Sequence, residues 1–141
     1  MKGECLCGEV KFEIKDDLPN LYQCHCSLCR KATGSSANAA MFVEKESFRW
    51  LSGQDKISSF LKPTSYRSDF CSTCGSPLPN QLRGMKLVWV PAGLLEESFE
   101  AAVNVHLHLG SAASWERESD RCVRLEAGPE SLESLQEALK E

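Results

Sequence analysis

The sequence lacks long apolar runs and an excess of positive charge. No stretch reaches the roughly 18–20 apolar residues of a transmembrane helix, and the segment from Met1 to Cys5 has no apolar signal core. The formal net charge is −4 and there is no long basic tail, so the electrostatic signature of a nucleic-acid or anionic-membrane protein is missing. We therefore expect a cytoplasmic protein with no nucleic-acid partner and no membrane partner.

The sequence also lacks internal repeats, low-complexity tracts and any linker long enough to divide it. Its 141 residues, 42% of them apolar, suit a single domain with an ordinary core. The last fourteen residues have the pattern of a helix, because Leu132, Leu135 and Leu139 recur at helical spacing. They follow Pro129, a residue favoured near helix starts. We predict one domain over residues 1–127 and a short amphipathic helix within residues 128–141 that packs on it.

Apolar and polar residues alternate in several short segments, which is the pattern of half-buried β-strands. Turn-forming residues such as Gly53 and Pro63 separate these segments. The pattern predicts a mainly β fold, with residues 30–38 as a loop that has room for one helical turn. The predicted strands are Val10 to Ile14, Ala39 to Val43, Phe48 to Leu51, Ile57 to Leu61, Tyr66 to Phe70, Met85 to Val90 and Val103 to Leu109.

Cysteine, by contrast, is abundant, and seven of the eight cysteines lie in tight groups. An even number permits a disulfide framework, but such frameworks usually spread their cysteines along the chain and require an oxidising compartment. Closely spaced thiols suit a metal ion, zinc above all, so we predict metal binding. The groups are Cys5 and Cys7, then Cys24, Cys26 and Cys29, then Cys71 and Cys74.

Seven sulfurs cannot all bind one four-coordinate ion, so the sequence predicts two zinc ions. The two pairs together supply four ligands for a closed structural site, and Cys71 to Gly75 has the form of a zinc knuckle. Cys24, Cys26 and Cys29 then hold the second zinc with an open fourth position, as in catalytic sites. In the alternative, one pair joins the second ion and leaves two ligands for the first, too few for stable zinc binding.

Three further residues carry possible chemistry. Cys122 lies alone among charged residues, and we interpret it as an incidental thiol, with a fourth ligand of the second zinc as the alternative. His25 lies between two predicted ligands, and because neighbouring residues of an extended segment point opposite ways, we expect it to contact the site without binding the ion. For His106, a proton-transfer role at a pocket competes with that of an ordinary strand histidine.

Three blocks of residues, taken together, resemble the glutathione-dependent formaldehyde-activating enzyme family, which includes centromere protein V. The order of the blocks, their internal spacing and their flanking residues all fit the family, over residues of about Gly3 to Trp115. Each block alone would be a weak signal, whereas the combination is highly specific. The blocks are Gly3 to Val10, Cys24 to Ser35 and Phe70 to Leu78.

The resemblance implies a β-tent fold, in which layers of antiparallel sheet are organised by a structural zinc. In the family the first and third blocks carry that ion, which corresponds here to Cys5, Cys7, Cys71 and Cys74. The middle block, matching Cys24, Cys26 and Cys29, carries the second, functional zinc. His106 occupies a strand position where many family members also have a histidine, which makes it a candidate catalytic residue.

The resemblance also implies the substrates, a small thiol such as glutathione together with formaldehyde or a related small aldehyde. A thiol bound to a metal ion is deprotonated, and attack of its sulfur on the aldehyde gives an S-hydroxymethyl adduct. Reversal of that step cleaves a carbon–sulfur bond, so the expected activity is that of a carbon–sulfur lyase. The competing hypothesis is a non-catalytic, zinc-stabilised protein-binding module.

Overall fold

The computed structural model describes residues 1–96 and 99–140, and within them the chain is mainly β, as predicted. It forms ten β-strands and two α-helices in these residues, joined by turns and short 3₁₀ segments. The strands are β1 (Lys2–Glu4), β2 (Lys11–Ile14), β3 (Leu21–Cys24), β4 (Asn38–Glu44), β5 (Phe48–Ser52), β6 (Ile57–Leu61), β7 (Arg67–Cys71), β8 (Asn80–Gln81), β9 (Leu87–Pro91) and β10 (Val103–Leu107). The helices are α1 (Ser27–Thr33) and α2 (Leu132–Leu139).

The strands of the described residues form three sheets. A three-stranded sheet has the order β1-β2-β5, a five-stranded sheet has the order β10-β3-β4-β9-β8, and β6 pairs with β7 in a hairpin. These pairings are antiparallel, as predicted, except that β10 runs parallel to β3. The exception arises because β10 adds to the edge of β3 from a distant part of the chain, whereas a tight hairpin would force an antiparallel pair.

The core lies between the three-stranded sheet and one face of the five-stranded sheet. On β2, Phe12 and Ile14 are at most 1% exposed, whereas Lys11 is exposed and Glu13 is half-buried. This is the alternation that the sequence indicates. Phe12 and Ile14 pack with four residues of β4 and β9, each contributing about 1.5–3 kcal/mol when fully buried. Those four are Met41, Val43, Val88 and Val90. The opposite face of the five-stranded sheet is left free to form a site.

All seven predicted strands are present, with ends that differ from the prediction by at most two residues. The short strands β1, β3 and β8 were not predicted. β10 ends at Leu107 because His108 adopts a left-handed conformation with φ of 58°, so His108 does not continue the strand face of His106. The segment predicted as a loop with room for one helical turn contributes residues 30–33 to α1. This helix begins at Ser27, since Cys26 caps its N-terminus, and the left-handed Gly34 ends it.

The C-terminal helix α2 lies where the leucine spacing predicts it. Ser131 caps it, and the side chains of Ser131 and Ser134 form a reciprocal capping box. Leu132, Leu135 and Leu139 are 66%, 38% and 76% exposed, so the packing of α2 on the domain stays a prediction. None of the helices in the described residues is long and apolar enough to cross a membrane.

Candidate metal centres and the adjoining cavity

The first cysteine cluster joins the start of the chain to its middle. The four Sγ atoms of Cys5, Cys7, Cys71 and Cys74 all lie within 4.8 Å of one another. Each pair is followed by a glycine, Gly8 or Gly75, with φ of 77°, a conformation that glycine adopts without a Cβ clash. These turns fold the backbone beneath the sulfurs, and the amides of Gly8 and Gly75 donate hydrogen bonds to the carbonyls of Cys5 and Cys71.

The spacing of this cluster fits a zinc ion. Four sulfurs placed tetrahedrally at about 2.3 Å from zinc lie roughly 3.8 Å apart, and the Sγ atom of Cys7 is 3.5 Å from that of Cys5 and 3.8 Å from that of Cys71. All eight cysteines of the chain are free thiols. We name Cys5, Cys7, Cys71 and Cys74 the closed cluster.

Hydrogen bonds favour the thiolate form of Cys74 and Cys5 in the closed cluster. The Glu9 amide also lowers the pKa of Cys7, but burial and the neighbouring thiols outweigh this effect and raise it to about 12. The pKa of Cys74 is lowered to about 6, first by the hydroxyl and then by the backbone amide of Ser76. Burial raises the pKa of Cys5, but the Val10 amide and the neighbouring thiols outweigh this effect and lower it overall. Because zinc binds thiolates, this donor set could hold the ion.

The second cluster comes from one short segment. Cys24 ends β3, Cys26 is the N-cap residue of α1 and Cys29 lies in the first turn of that helix. Their Sγ atoms also lie within 4.8 Å of one another, and the Cys29 amide donates to the Cys26 sulfur at 3.4 Å. We name Cys24, Cys26 and Cys29 the open cluster, since it offers three ligands to an ion that usually takes four.

The thiols of the open cluster affect one another. Burial raises the pKa of Cys29, and the adjacent Cys24 and Cys26 raise it further, because a third negative charge beside them is unfavourable. The pKa of Cys26 is lowered overall, since hydrogen bonds from the Cys29 amide and the neighbouring thiols outweigh the effect of its burial. A bound divalent cation relieves this repulsion, so the open cluster also fits zinc.

His25 lies between two residues of the open cluster and is only 2% exposed. Its Nδ1 atom donates to Glu116, 2.8 Å from Oε1, and its Nε2 atom shares a hydrogen bond with His106 Nδ1 at 2.9 Å. Both ring nitrogens are therefore engaged away from the cluster, as the sequence predicts for a residue that contacts the site without binding the ion. Sequence reasoning missed Glu116, which is 91 positions from His25 in the chain.

A cavity of about 780 Å³ adjoins the open cluster, and Cys24 and Cys29 form part of its wall. Its floor is the outward face of the five-stranded sheet, and the β6–β7 connection and the turn after β8 complete it. His106 and Cys122 are not among the lining residues that the structure describes. The other lining residues are Tyr22, Asn38, Phe42, Leu61, Ser65, Tyr66, Arg67, Asn80, Gln81, Leu82, Arg83, Gly84 and Trp89.

Aromatic side chains form the floor of this cavity. Tyr22 and Phe42 stack with ring centroids 5.3 Å apart, and the indole N–H of Trp89 donates to the Tyr22 hydroxyl at 2.7 Å. Burial raises the pKa of Tyr22 to about 12 and also raises that of Tyr66. Both phenols therefore keep their protons near neutral pH. Strand alternation could have indicated Tyr22, which is two residues before Cys24, but Trp89 is 67 positions away.

Two arginines also line the cavity. Arg67 forms a bidentate ion pair with the buried Asp69, with both N···O distances at 2.8 Å, and burial of Asp69 makes this pairing necessary. Arg83 is exposed in the turn after β8. Asp69 offsets the charge of Arg67, whereas Arg83 forms no ion pair within the described residues. Arg83 therefore offers the cavity a cationic group on its loop side, and the floor is mainly aromatic.

Comparison with known proteins agrees with this geometry. The glutathione-dependent formaldehyde-activating enzyme family matches residues 1–111. A Halomonas elongata protein provisionally named a glutathione-dependent formaldehyde-activating enzyme is 29% identical over 136 residues, covering 86% of this chain and 85% of its own length. The crystal structure of a Rhodobacter sphaeroides protein superposes with a TM-score of 0.58 at 26% identity, over 73% of this chain and 99% of the other.

The family match contains both cysteine clusters and the aromatic floor of the cavity. The match covers more than half of the chain. The family is the one that the three cysteine blocks resemble. The chain belongs to the glutathione-dependent formaldehyde-activating enzyme family.

Proposed function

We propose that this protein is a zinc-dependent enzyme that adds a small thiol, glutathione or a similar compound, to formaldehyde or a related small aldehyde. The product is an S-hydroxymethyl adduct, and the reverse reaction makes the enzyme a carbon–sulfur lyase. The observation that carries the proposal is the position of the open cluster, whose Cys24 and Cys29 lie in the wall of the large cavity. Family membership and the related protein of Halomonas elongata support the same activity.

In this proposal the two clusters hold different zinc ions. Cys5, Cys7, Cys71 and Cys74 bind a structural zinc, and Cys24, Cys26 and Cys29 bind the second one. When bound at the open cluster, zinc supplies a Lewis acid that keeps a substrate thiol deprotonated at neutral pH.

The cavity residues orient the two substrates. The aromatic floor offers an apolar surface beside the open cluster, and Arg83 favours a thiol that carries carboxylates, as glutathione does. The substrate sulfur attacks the aldehyde carbon, so a carbon–sulfur bond forms while the carbonyl π bond breaks. Its electron pair moves to oxygen, which then takes a proton from water.

His106 enters the proposal as a positioning residue. It hydrogen-bonds His25, which is the residue between Cys24 and Cys26, and so restrains the segment that carries the open cluster.

The predicted cytoplasmic location fits a protein with eight free thiols and stays a prediction.

The proposal is tested by NMR exchange spectroscopy on formaldehyde and glutathione with the zinc-loaded protein. We expect faster exchange between free formaldehyde and the S-hydroxymethyl adduct than in buffer. Cys26→Ser, which alters the open cluster but leaves the closed cluster intact, should lose this acceleration. If the intact protein accelerates no thiol and aldehyde pair, the non-catalytic protein-binding module becomes the better hypothesis.

A further inference from the structure

The cavity wall beside Cys24 carries two neutral hydrogen-bond donors from neighbouring strands. Tyr22 and Cys24 are two residues apart on β3, so their side chains point to the same face of the sheet. Asn38 on β4 is the cross-strand partner of Cys24, and Tyr22 pairs with Ala40. Directly paired side chains lie within about 5.5 Å at Cβ and diagonal ones within about 8 Å, so both donors flank the Cys24 sulfur.

The side-chain amide of Asn38 faces the cavity without a protein partner in the described residues. The residue is 8% exposed and lines the cavity, yet its side chain makes no hydrogen bond with residues 1–96 or 99–140. The amide atoms keep access to the cavity, because Arg30 Nε is the one fully buried side-chain nitrogen or oxygen without a partner in the described residues. This arrangement is expected when the partner is a ligand of the cavity.

The Tyr22 hydroxyl group can also donate a hydrogen bond within the cavity. Its oxygen already accepts the Trp89 indole N–H at 2.7 Å, and the stacked Phe42 ring holds the phenol in place. An indole can only donate, so the hydroxyl proton of Tyr22 is not used by Trp89. Within the described residues that proton has no acceptor.

We propose that the Tyr22 hydroxyl and the Asn38 amide bind the carbonyl oxygen of the aldehyde beside Cys24. This inference rests on the proposed function and identifies a second subsite of the same cavity. As the substrate sulfur bonds to carbon, the carbonyl π electrons move to oxygen, and two donors fixed in the cavity wall stabilise the charge that develops there. Both groups donate hydrogen bonds without giving up their protons, and water supplies the proton of the adduct hydroxyl.

The chemistry of the donors favours the aldehyde over the carboxylates of the thiol. Tyr22 and Asn38 are neutral and adjoin the sulfur cluster, which matches a small neutral carbonyl that must react with sulfur. Carboxylates are better matched by Arg83, which lines the cavity from the turn after β8.

The first test compares Tyr22→Phe and Asn38→Leu with the intact zinc-loaded protein. We expect kcat for adduct formation to fall by about 10²-fold in each with little change in KM for glutathione or in zinc content. Asn38→Leu should leave the melting temperature nearly unchanged, because the Asn38 side chain makes no hydrogen bond with the described residues that the substitution could remove. Asn104→Leu makes the same change on exposed β10 and should leave kcat unchanged. Full activity in both cavity variants, or a large loss of stability in Asn38→Leu, would overturn the proposal.

The second test does not depend on catalysis and uses formamide, an unreactive compound with a carbonyl of aldehyde size. In the nitrogen-labelled protein the side-chain amide signal of Asn38 is assigned by its loss in Asn38→Leu. We expect formamide to shift this signal, and to shift it less in Tyr22→Phe. If the intact protein accelerates no reaction but the signal shifts, the carbonyl subsite stands while the proposed function fails. An unmoved signal would overturn the subsite.

Discussion

The closed and the open cysteine clusters use the same ligand atoms in different structural settings. In the closed cluster, sulfurs 64 positions apart in the chain meet, so an ion there links two distant segments. In the open cluster, three cysteines within six positions supply all the sulfurs, and two of them line a cavity. The comparison indicates that an ion bound at the closed cluster would hold distant segments together, whereas an ion bound at the open cluster would be accessible from the cavity.

The largest expected effect comes from breaking the closed cluster. We expect Cys71→Ser to unfold the domain, because a structural zinc contributes on the order of 10 kcal/mol, comparable with the whole stability of about 5–15 kcal/mol of an ordinary protein. Circular dichroism and zinc analysis of the purified variant provide the measurement. A folded variant with unchanged zinc content would show that this cluster is not a structural centre.

Breaking the open cluster should separate metal binding from folding. We expect Cys26→Ser to lose one of two zinc ions per chain while the domain stays folded, since none of its ligands joins distant segments. Zinc analysis together with thermal denaturation checks this expectation. Unfolding of this variant would erase the difference between the clusters, and a single zinc in the intact protein would contradict the assignment of two sites.

A smaller effect should follow from loosening the long-range contacts of the segment that carries the open cluster. His106→Phe leaves the Nε2 atom of the buried His25 without its partner, which we expect to cost about 1–3 kcal/mol of unfolding free energy. Urea denaturation measures this cost, and zinc content should stay at the level of the intact protein. No change in stability would mean that the contact between His25 and His106 does not restrain this segment.

The smallest effect is expected at the cysteine outside both clusters. Cys122 is exposed, and the nearest polar contact of its thiol is the Val123 carbonyl at 3.8 Å. Cys122→Ser should change the unfolding free energy by less than about 0.5 kcal/mol and leave zinc content and activity unchanged. Loss of one zinc would identify Cys122 as the fourth ligand that the sequence leaves open.

The sequence was sufficient where the signal is local. The alternation from Val10 to Ile14 predicted β2 because burial follows the two-residue period of a strand, and the close spacing of Cys24, Cys26 and Cys29 follows from their positions in the chain. The grouping of Cys5 and Cys7 with Cys71 and Cys74 required an argument from ligand number. It agrees with the sulfur positions in the structure.

The missed features depend on contacts between distant residues. Glu116 reaches His25, and Trp89 reaches Tyr22, from more than 60 positions away, so no periodicity links them. The parallel pairing of β10 with β3 likewise depends on which sheet edge is free. The start of α1 at Ser27 was missed because a cysteine serves as its cap, a role for which Ser, Thr, Asp and Asn are the usual residues.

The central claim, that the open cluster accepts a substrate thiol while the closed cluster does not, is tested most directly by cadmium NMR. The cadmium-substituted protein should give two signals, one for each cluster, because the metal shift depends on the number of sulfur ligands. Added glutathione should shift one signal toward the other, and Cys26→Ser should lack the responsive signal. A spectrum in which glutathione moves neither signal, or moves both equally, would contradict the account.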